Sequence, residues 1–388
     1  MKRKLLIGIL ICTFLLSACA RRMQSNQVIQ PASEKKYEVI EVNPEVPSDF
    51  YYYHDGIGLC EYNKKTCYLD ENGKVFIEPG AYIDGLLFSE GIALVYTEKG
   101  ITYSASQAAI IDKNGKILHS LNRVSRLTTK KEYWEFSEGK AVLTLADKDR
   151  RIATIVIDKN GNTLFSIPYK DGLRSTQVDL EFSCERLVYY VSGNRYGEGG
   201  IKIFNAKGDI LDLNFTPVYT HKKYSDDLLV ITDDTEKWGV IDKNGNVKIK
   251  FEHEKLGNAN HGLIPFLKYG KWGYMDYNGN VVIEPTYIKA GDFSQGLAAV
   301  ETESKMVSYI DVKGNVVIDS IVADQRLVPA DYDSMEDFNF FDSGYAVAGN
   351  LIIDKNSAVV FDNKTNIVIS YFGGDIFSIG EKIYKIKK

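Results

Sequence analysis

The sequence lacks the features that mark several large classes of protein. Beyond its N-terminal region, the chain of 388 residues contains no run of about 18 apolar residues, so nothing there predicts a membrane-spanning helix. A net charge of −5 excludes the basic surface expected of a nucleic-acid-binding protein. There is no G-x-S-x-G elbow, no H-E-x-x-H motif and no glycine-rich phosphate or dinucleotide fingerprint. The sequence therefore predicts no catalytic residue, no metal ligand set and no cofactor.

Cysteine is scarce, and one of the five cysteines closes an N-terminal signal. Residues 2–4 are positively charged and residues 5–16 form an apolar run of the length found in secretion signals. The run leads into Leu16-Ser17-Ala18-Cys19, which resembles the lipobox of bacterial lipoproteins. The resemblance implies cleavage before Cys19 and acylation of its thiol and its new amino group, and two or three acyl chains hold a protein stably at a membrane.

We therefore expect residues 1–18 to be a signal peptide and Cys19 to carry a lipid anchor on the extracytoplasmic face of the cell membrane. A plain secretory signal with an incidental Cys19 is the alternative. Residues 19–49 are polar and carry three prolines, so they predict a tether, at its most flexible up to residue 36. Residues 50–388 are then the folded domain.

Three cysteines remain in the predicted domain. A hairpin with its turn near Asn63 would place Cys60 opposite Cys67. A disulfide between them and a pair of free thiols are both open, because a directly opposed pair need not have the Cβ separation that a bridge requires. Cys184 is left over in either case.

A four-residue motif, Asp-x-Asn-Gly or a close variant, recurs eight times at intervals of 34 to 47 residues. Apolar residues precede most copies and a short strand pattern follows them, which predicts strand, turn and strand. Lys207 and Lys313 replace the Asn while the Gly stays, which favours a type I turn with Gly in the left-handed region over a type I′ turn. The complete turns are Asp70–Gly73, Asp112–Gly115, Asp158–Gly161, Asp242–Gly245, Asp276–Gly279 and Asp311–Gly314, with Asn205–Gly208 and Asp354–Ser357 as variants.

A second motif, aromatic-Ser-x-Gly, alternates with the first. We expect its aromatic side chain to be buried, its Gly to form a tight bend and its Ser to belong to the repeat instead of acting as a nucleophile. Asn260-His261-Gly262 occupies the same place between two good copies. The copies begin at Phe88, Phe136, Phe182, Tyr224, Phe293, Phe341 and Phe377, of which those at Phe182 and Tyr224 are degenerate.

Together the two motifs predict an all-β fold of about eight repeats, each with three to four antiparallel strands. No sustained helical periodicity is present, and a period near 40 residues is typical of propeller blades. Residues 37–42 and 382–387 are strand-like ends that can complete one blade between them. This favours a propeller-like ring, because closure protects sheet edges. An open, curved array of small sheets is the alternative.

Two repeats carry a Trp-Gly pair, Trp238-Gly239 and Trp272-Gly273. The stretches KWGVIDKNGNVKIKF from residue 237 and KWGYMDYNGNVVIEP from residue 271 resemble the WG repeats of bacterial surface and secreted proteins. The resemblance extends over residues 50–388, strongly in these two repeats and weakly elsewhere. It implies a β-repeat interaction module with no catalytic motif. The Trp place holds other residue types in the remaining repeats, which indicates a packing role: Thr66, Ala108, Thr154, Ile201, Val307 and Asn350.

Candidate chemistry outside the repeats is sparse. The acidic run Asp331–Ser343 offers Asp331, Asp333 and Asp337 to a hard cation, with a solvated loop as the alternative. His253 and His261 lack the convergent ligands that zinc requires. We therefore predict a membrane-anchored, non-catalytic module that scaffolds an envelope protein, with cell-wall or host glycan binding as an alternative and a propeller hydrolase as a third possibility.

Overall fold

The computed structural model describes residues 37–45, 51–97, 105–125, 136–147, 150–168, 181–191, 200–221, 223–303, 306–321, 343–348, 351–365, 367, 369–371 and 375–387. These residues contain strands and turns and no helix, so none of them belongs to a helix able to cross a membrane. The strands are β1 (Glu38–Val42), β2 (Tyr51–His54), β3 (Ile57–Tyr62), β4 (Lys65–Leu69), β5 (Val75–Ile77), β6 (Asp84–Gly85), β7 (Ile92–Tyr96), β8 (Ala105–Asp112), β9 (Ile117–Ser125), β10 (Lys140–Asp147), β11 (Arg150–Asp158), β12 (Thr163–Pro168), β13 (Phe182–Ser183), β14 (Arg186–Val191), β15 (Gly200–Asn205), β16 (Leu228–Thr232), β17 (Trp238–Asp242), β18 (Val247–His253), β19 (Lys255–Leu256), β20 (Leu263–Lys268), β21 (Lys271–Asp276), β22 (Val281–Tyr287), β23 (Lys289–Ala290), β24 (Leu297–Glu301), β25 (Val307–Asp311), β26 (Val316–Ile321), β27 (Tyr345–Ala348), β28 (Leu351–Asp354), β29 (Val359–Asp362), β30 (Ile369–Tyr371), β31 (Ile376–Ile379) and β32 (Lys382–Lys387).

The described strands form eight antiparallel sheets that follow one another in chain order. One sheet has seven strands, but it consists of two repeat units joined by the single pair Leu145 and Val124. We therefore number nine units: unit 1 (β2–β5), unit 2 (β6–β9), unit 3 (β10–β12), unit 4 (β13–β15), unit 5 (β16–β18), unit 6 (β19–β22), unit 7 (β23–β26), unit 8 (β27–β29) and unit 9 (β30–β32 with β1).

Unit 9 joins the two ends of the chain and makes the array a ring. Strand β1 pairs antiparallel with β32, from Glu38 opposite Lys387 to Val42 opposite Ile383. Val42 also packs with Tyr53 of unit 1, so unit 9 contacts the first unit as well as the eighth. The predicted propeller-like ring of antiparallel β-repeats is confirmed. Strand β1 lies upstream of the boundary predicted at residue 50, and it pairs with β32 along its whole length.

The hydrophobic core lies between neighbouring units. One cluster joins Leu59 and Tyr68 of unit 1 to Phe88 and Ile111 of unit 2. Equivalent clusters join the other neighbours, because a sheet of three or four short strands must cover its faces with the next sheet. The aromatic residues of the second motif fill these interfaces and are almost fully buried: Phe88, Phe136, Phe182, Tyr224 and Phe293.

The Asp-x-x-Gly segments are type I turns followed by a residue in the left-handed region. In the first, the Gly73 amide donates to the carbonyl of Asp70 at 3.0 Å, and Gly73 has φ of 82°. The Asp70 carboxylate accepts hydrogen bonds from the amides of Asn72 and Lys74 at 2.8 and 2.9 Å. The same bonds recur at Asp112, Asp158, Asn205, Asp242, Asp276, Asp311 and Asp354.

One proposed copy of the second motif has a different role. The Phe377 copy does not form the bend: Phe377 lies inside β31, and Gly380 belongs to the hairpin between β31 and β32. The motif match was misleading at this place, because Phe-Ser-x-Gly also fits the end of a strand that is followed by a glycine. Unit 1 instead carries an unpredicted copy, Tyr53-His54-Asp55-Gly56, in which Asp55 and Gly56 both have positive φ.

The variant turn at Asp354 yields a stability prediction. Ser357 occupies the glycine position with φ of 67°, a conformation that costs a non-glycine residue about 1 kcal/mol. Ser357→Gly should therefore stabilise the protein by about 0.5 kcal/mol after the greater entropy of Gly in the unfolded chain is counted. The reciprocal Gly279→Ser should destabilise it, since Gly279 has φ of 83° and open space for a side chain. Urea unfolding of both variants measures this, and changes of the same sign would contradict it.

Candidate functional site

Both recurring turns lie at the same end of each sheet. In unit 1 the start of β3 pairs with the end of β4, Gly58 opposite Leu69, so the bend at Asp55 lies beside the turn at Asp70. We call this end of the units the turn face. The opposite end carries the hairpins between the middle strands, such as Asn63–Lys64 in unit 1 and Tyr269–Gly270 in unit 6, and we call it the hairpin face.

On the turn face, the second residue of the aromatic-Ser-x-Gly motif connects adjacent units. The Ser89 hydroxyl donates to the carbonyl of Phe136 at 2.7 Å, and the Ser137 hydroxyl donates to the carbonyl of Phe182 at 2.7 Å. In unit 1 the Nδ1 of His54 makes the same bond to the carbonyl of Phe88 at 2.7 Å. Each bond runs from one unit to the aromatic residue of the next, so the motif is a clamp between units.

The third residue of the motif adds a charged contact in the same direction. The Asp55 carboxylate accepts from the Gly91 amide at 2.9 Å, and that of Glu90 accepts from the Gly139 amide at 3.0 Å. Ion pairs reinforce two of these contacts: Lys113 Nζ lies 3.5 Å from Asp55, and Lys159 Nζ lies 3.0 Å from Glu90. The turn-face charges of these units thus neutralise one another along the ring.

The clamp predicts a defined loss of stability. Ser89 is buried, and Ser89→Ala removes its bond and leaves the Phe136 carbonyl without this donor, which should cost about 1–2 kcal/mol. Ser120→Ala in β9 is the control, because Ser120 is exposed and its loss should change stability by less than about 0.5 kcal/mol. Equal effects of the two substitutions in urea unfolding would contradict the assignment.

The two Trp-Gly pairs contribute to packing between units. Trp272 is buried against Ala290 and Val300 of unit 7, and Trp238 packs against residues of unit 6. A Cβ at Gly273 would lie 2.5 Å from the carbonyl oxygen of Ile283, so the glycine after Trp272 leaves room for the bulge of the neighbouring strand β22. The exposed ring surface that a Trp ligand site requires is absent at Trp272.

The turn carboxylates are anions fixed by their own turns. The Asn280 side chain and the amides that follow Asp276 hold the pKa of Asp276 below its ordinary value. The bond from the Lys116 amide does the same for the pKa of Asp112. These groups are acceptors committed to turn geometry, and protonation at low pH weakens each turn.

The remaining residues singled out by sequence are dispersed. Cys60 and Cys67 are directly opposed, fully buried and joined by a disulfide, while Cys184 is a half-buried free thiol. His253 ends β18, and His261 lies in a bend with φ of 54°. No cluster of three metal-ligating side chains occurs among the described residues. The lipobox, Leu16 to Cys19, and the three aspartates Asp331, Asp333 and Asp337 lie outside the described part of the chain.

A groove of about 520 Å³ opens on the turn face between units 1 and 2. Asp55, Lys113 and the turn residue Asp70 line it, with Phe76 as its half-buried apolar wall. Its charged groups are already engaged: Asp55 pairs with Lys113, and Asp70 holds its own turn. The groove is therefore a shallow polar depression whose carboxylates Asp55 and Asp70 are already engaged in contacts within the protein.

Exposed aliphatic residues follow the Gly turns and were missed by sequence reasoning. Val281 and Val282 at the start of β22 are 47% and 46% exposed, and Val316 and Val317 occupy the same place in unit 7. Ile117 and Leu118 repeat it in unit 2, with single members Leu164, Ile210, Val247 and Val359 in units 3, 4, 5 and 8. We call this set the aliphatic rim. The signal available in the sequence was an aliphatic residue, or a pair of them, that begins two or three residues after most of the turns.

Residues 238–272 and 272–305 match the family described as "WG containing repeat". A comparison with curated proteins finds no match. A solved structure described as "the eukaryotic initiation factor" is similar with a TM-score of 0.51, 10% identity, and coverage of 92% of this chain and 93% of that one.

Two further solved structures resemble the chain at lower scores. The C-terminal WD40 domain of Sif2 aligns with a TM-score of 0.40, 14% identity, and coverage of 92% of this chain and 100% of that one. BamB from Moraxella catarrhalis aligns with a TM-score of 0.37, 10% identity, and coverage of 92% and 98%. The chain thus has WG-type repeats at residues 238–305 and a β-repeat fold similar to propeller proteins.

Proposed function

We propose that this protein is a non-catalytic protein-interaction module, held on the extracytoplasmic face of the cell membrane by lipid on Cys19. The observation that carries the proposal is the aliphatic rim. Exposed apolar residues that recur at one place in most units form a repeated apolar surface, and such surfaces on soluble folds mark protein contacts. The polar groups of the clamps and of the Asp turns on the turn face are hydrogen-bonded within the ring.

The tether supports the membrane placement. Residues 20–36 precede β1, so the ring is attached to its anchor by a chain that spans at most about 60 Å when fully extended. A disulfide between Cys60 and Cys67 fits an oxidising compartment outside the cytoplasm.

A hydrolase is the less favoured reading. A general acid needs a carboxyl with a raised pKa beside one that stays ionised. Each carboxyl with a shifted pKa in the described residues is shifted downward, and for Asp158, Asp276 and Asp311 the principal cause is a side chain within the same turn. These carboxylates stabilise turns and are poorly suited to donate a proton.

Glycan binding is also less favoured. A glycan platform presents a row of exposed aromatic rings, whereas in the described part of the chain only Tyr219 and Tyr269 among the aromatic residues are more than half exposed. The other tyrosines of the units are largely packing residues, as with Tyr68, Tyr274 and Tyr309 in the cores between units.

In-cell crosslinking of the intact chain followed by mass spectrometry tests the proposal. The expected result is one dominant envelope protein, lost when Val282 and Val317 are both replaced by Asp and retained when the exposed Thr163 is replaced by Asp. The rim valines are exposed, so these variants should fold, and circular dichroism checks this. Absence of any protein adduct above background, with intact expression, would overturn the proposal.

A further inference from the structure

The most exposed aromatic residue of the described chain is at a hairpin tip. Tyr269 connects β20 to β21 on the hairpin face, and 90% of its surface is exposed. Its backbone has φ of 52° and is followed by Gly270 with φ of 73°, the signature of a two-residue type I′ turn. Asn is the residue that suits the first position of such a turn, whereas a bulky ring is disfavoured there.

Unit 1 provides the comparison within the same molecule. Its hairpin between β3 and β4 has Asn63 in the corresponding place, with the same φ of 52°. The fold therefore has a ready solution for this turn, and unit 6 departs from it. The departure does not serve the core, because the ring of Tyr269 is almost fully exposed.

A second unfavourable feature lies at the same tip. Lys268 and Lys271 are directly opposed in the strand pair, and like charges in this arrangement repel. Lys271 is balanced by Glu303 of unit 7 at 2.7 Å, and Lys268 lies over the Tyr269 ring at 5.5 Å. Two local rules are broken in one four-residue tip, and such sites in natural proteins are commonly functional.

We propose that the tip Lys268-Tyr269-Gly270-Lys271 is the anchor through which the ring contacts an acidic protein surface. This inference rests on the proposed interaction function and adds a contact point on the hairpin face, apart from the aliphatic rim. A tyrosine with the Lys268 ammonium over its ring fits an apolar pocket bordered by carboxylates, and tyrosine is among the residues that dominate protein interfaces. A single anchor fits a protein pocket better than a polysaccharide, which would use several rings.

The substitution Tyr269→Asn separates function from stability. It restores the turn residue that unit 1 uses, so the thermal midpoint should rise by about 1–2 °C. Binding should weaken at least tenfold, because the anchor is lost. A residue with a merely structural role cannot give this pair of opposite results. Tyr269→Phe keeps the ring and should retain most of the binding.

The experiment uses the full chain in its own cells, with a benzophenone-bearing phenylalanine analogue at position 269. Control chains carry it at position 63, the matching tip of unit 1, and at position 282 on the aliphatic rim. We expect an adduct from position 269 to one identified protein, through a peptide rich in Asp and Glu, and at most a tenth as much from position 63. The purified partner should then bind the unsubstituted protein at least tenfold more tightly than Tyr269→Asn.

Two sets of outcomes would overturn the inference. Adducts from position 282 without adducts from position 269, an adduct of 269 with polysaccharide, or unchanged binding by Tyr269→Asn would remove this contact point and leave the interaction module standing. No protein adduct from any of the three positions would remove the inference and the proposed function together.

Discussion

Replacing Gly273 by alanine should destabilise the protein by about 3 kcal/mol, the upper range for overpacking, because the new methyl group would collide with backbone. Between Trp272 and Tyr274, β21 advances by two residues while β22 goes from Tyr287 to Ile283, so β22 bulges over the glycine. An added Cβ would lie 2.5 Å from the Ile283 carbonyl oxygen and 2.7 Å from the Pro285 nitrogen. No rotamer change relieves contacts with main-chain atoms.

The control for this prediction is Gly279→Ala in the neighbouring turn. Gly279 has φ of 83° and nothing within 4 Å of an added Cβ, so alanine there should cost only the conformational term of about 1 kcal/mol. Urea unfolding measures both variants. If Gly273→Ala is no worse than Gly279→Ala, the steric account of the Trp-Gly pair is wrong.

Removing strand β1 should cost about 3–5 kcal/mol and open the ring. Val42 is buried and packs with Tyr53, Ile376 and Ile383, so its loss exposes apolar surface of both unit 9 and unit 1. Full burial of one aliphatic side chain contributes about 1.5–3 kcal/mol, and Val39 and Ile40 are buried in part. The stability of three chains tests this prediction: one starts at residue 20, one at residue 37 and one at residue 46.

The chain that starts at residue 37 keeps β1 and should match the chain that starts at residue 20. The chain that starts at residue 46 should show the whole loss and should aggregate more readily, because the edge of β32 is then unpaired. Equal stability of all three chains would show that β1 contributes nothing to the fold.

The sequence predicted the repeat turns and the ring well, because the turns depend on local chemistry and both chain ends carry strand patterns that can pair. Lys207 and Lys313 in the Asn position pointed to a turn in which only the Gly has positive φ, and the turns at Gly208 and Gly314 have that geometry. The strand-like residues 37–42 and 382–387 pointed to closure, and they pair.

The contacts between units could not be predicted from sequence, because they join side chains distant in the chain; those of the turn-face clamps join residues 34 to 69 positions apart. Ser89 reads as a repeat residue, and only the fold shows its bond to Phe136. In unit 1, His54 occupies the position that holds Ser in the motif. This copy was therefore missed, although it makes the same bond to the next unit. The Phe377 copy failed for the opposite reason, since the first three of its four matching residues lie inside β31. The lipid anchor at Cys19 stays a prediction.

The fold also explains why two units keep the Trp-Gly pair and the others do not. In unit 3, Thr154 and Val156 of β11 pair with Ile167 and Phe165 of β12 without a bulge. The backbone of β12 therefore leaves room for the side chain of Ile155. In unit 6, two residues of β21 face four of β22, and glycine is required. Drift of the motif therefore follows the size of the bulge in each unit.

The most direct test of the account is whether the two ends of the chain share a sheet. Glu38→Cys with Lys387→Cys places thiols on directly opposed residues whose side chains now lie 2.7 Å apart at their charged ends. In a Cys184→Ser background, we predict that the pair forms a disulfide in air and raises the thermal midpoint. Glu38→Cys with Lys382→Cys, at the far end of β32, should stay reduced. Because opposed thiols need not have the Cβ separation of a disulfide, a short bismaleimide crosslinker is the second readout, and a 38–387 pair that neither oxidises nor crosslinks would contradict the closed ring.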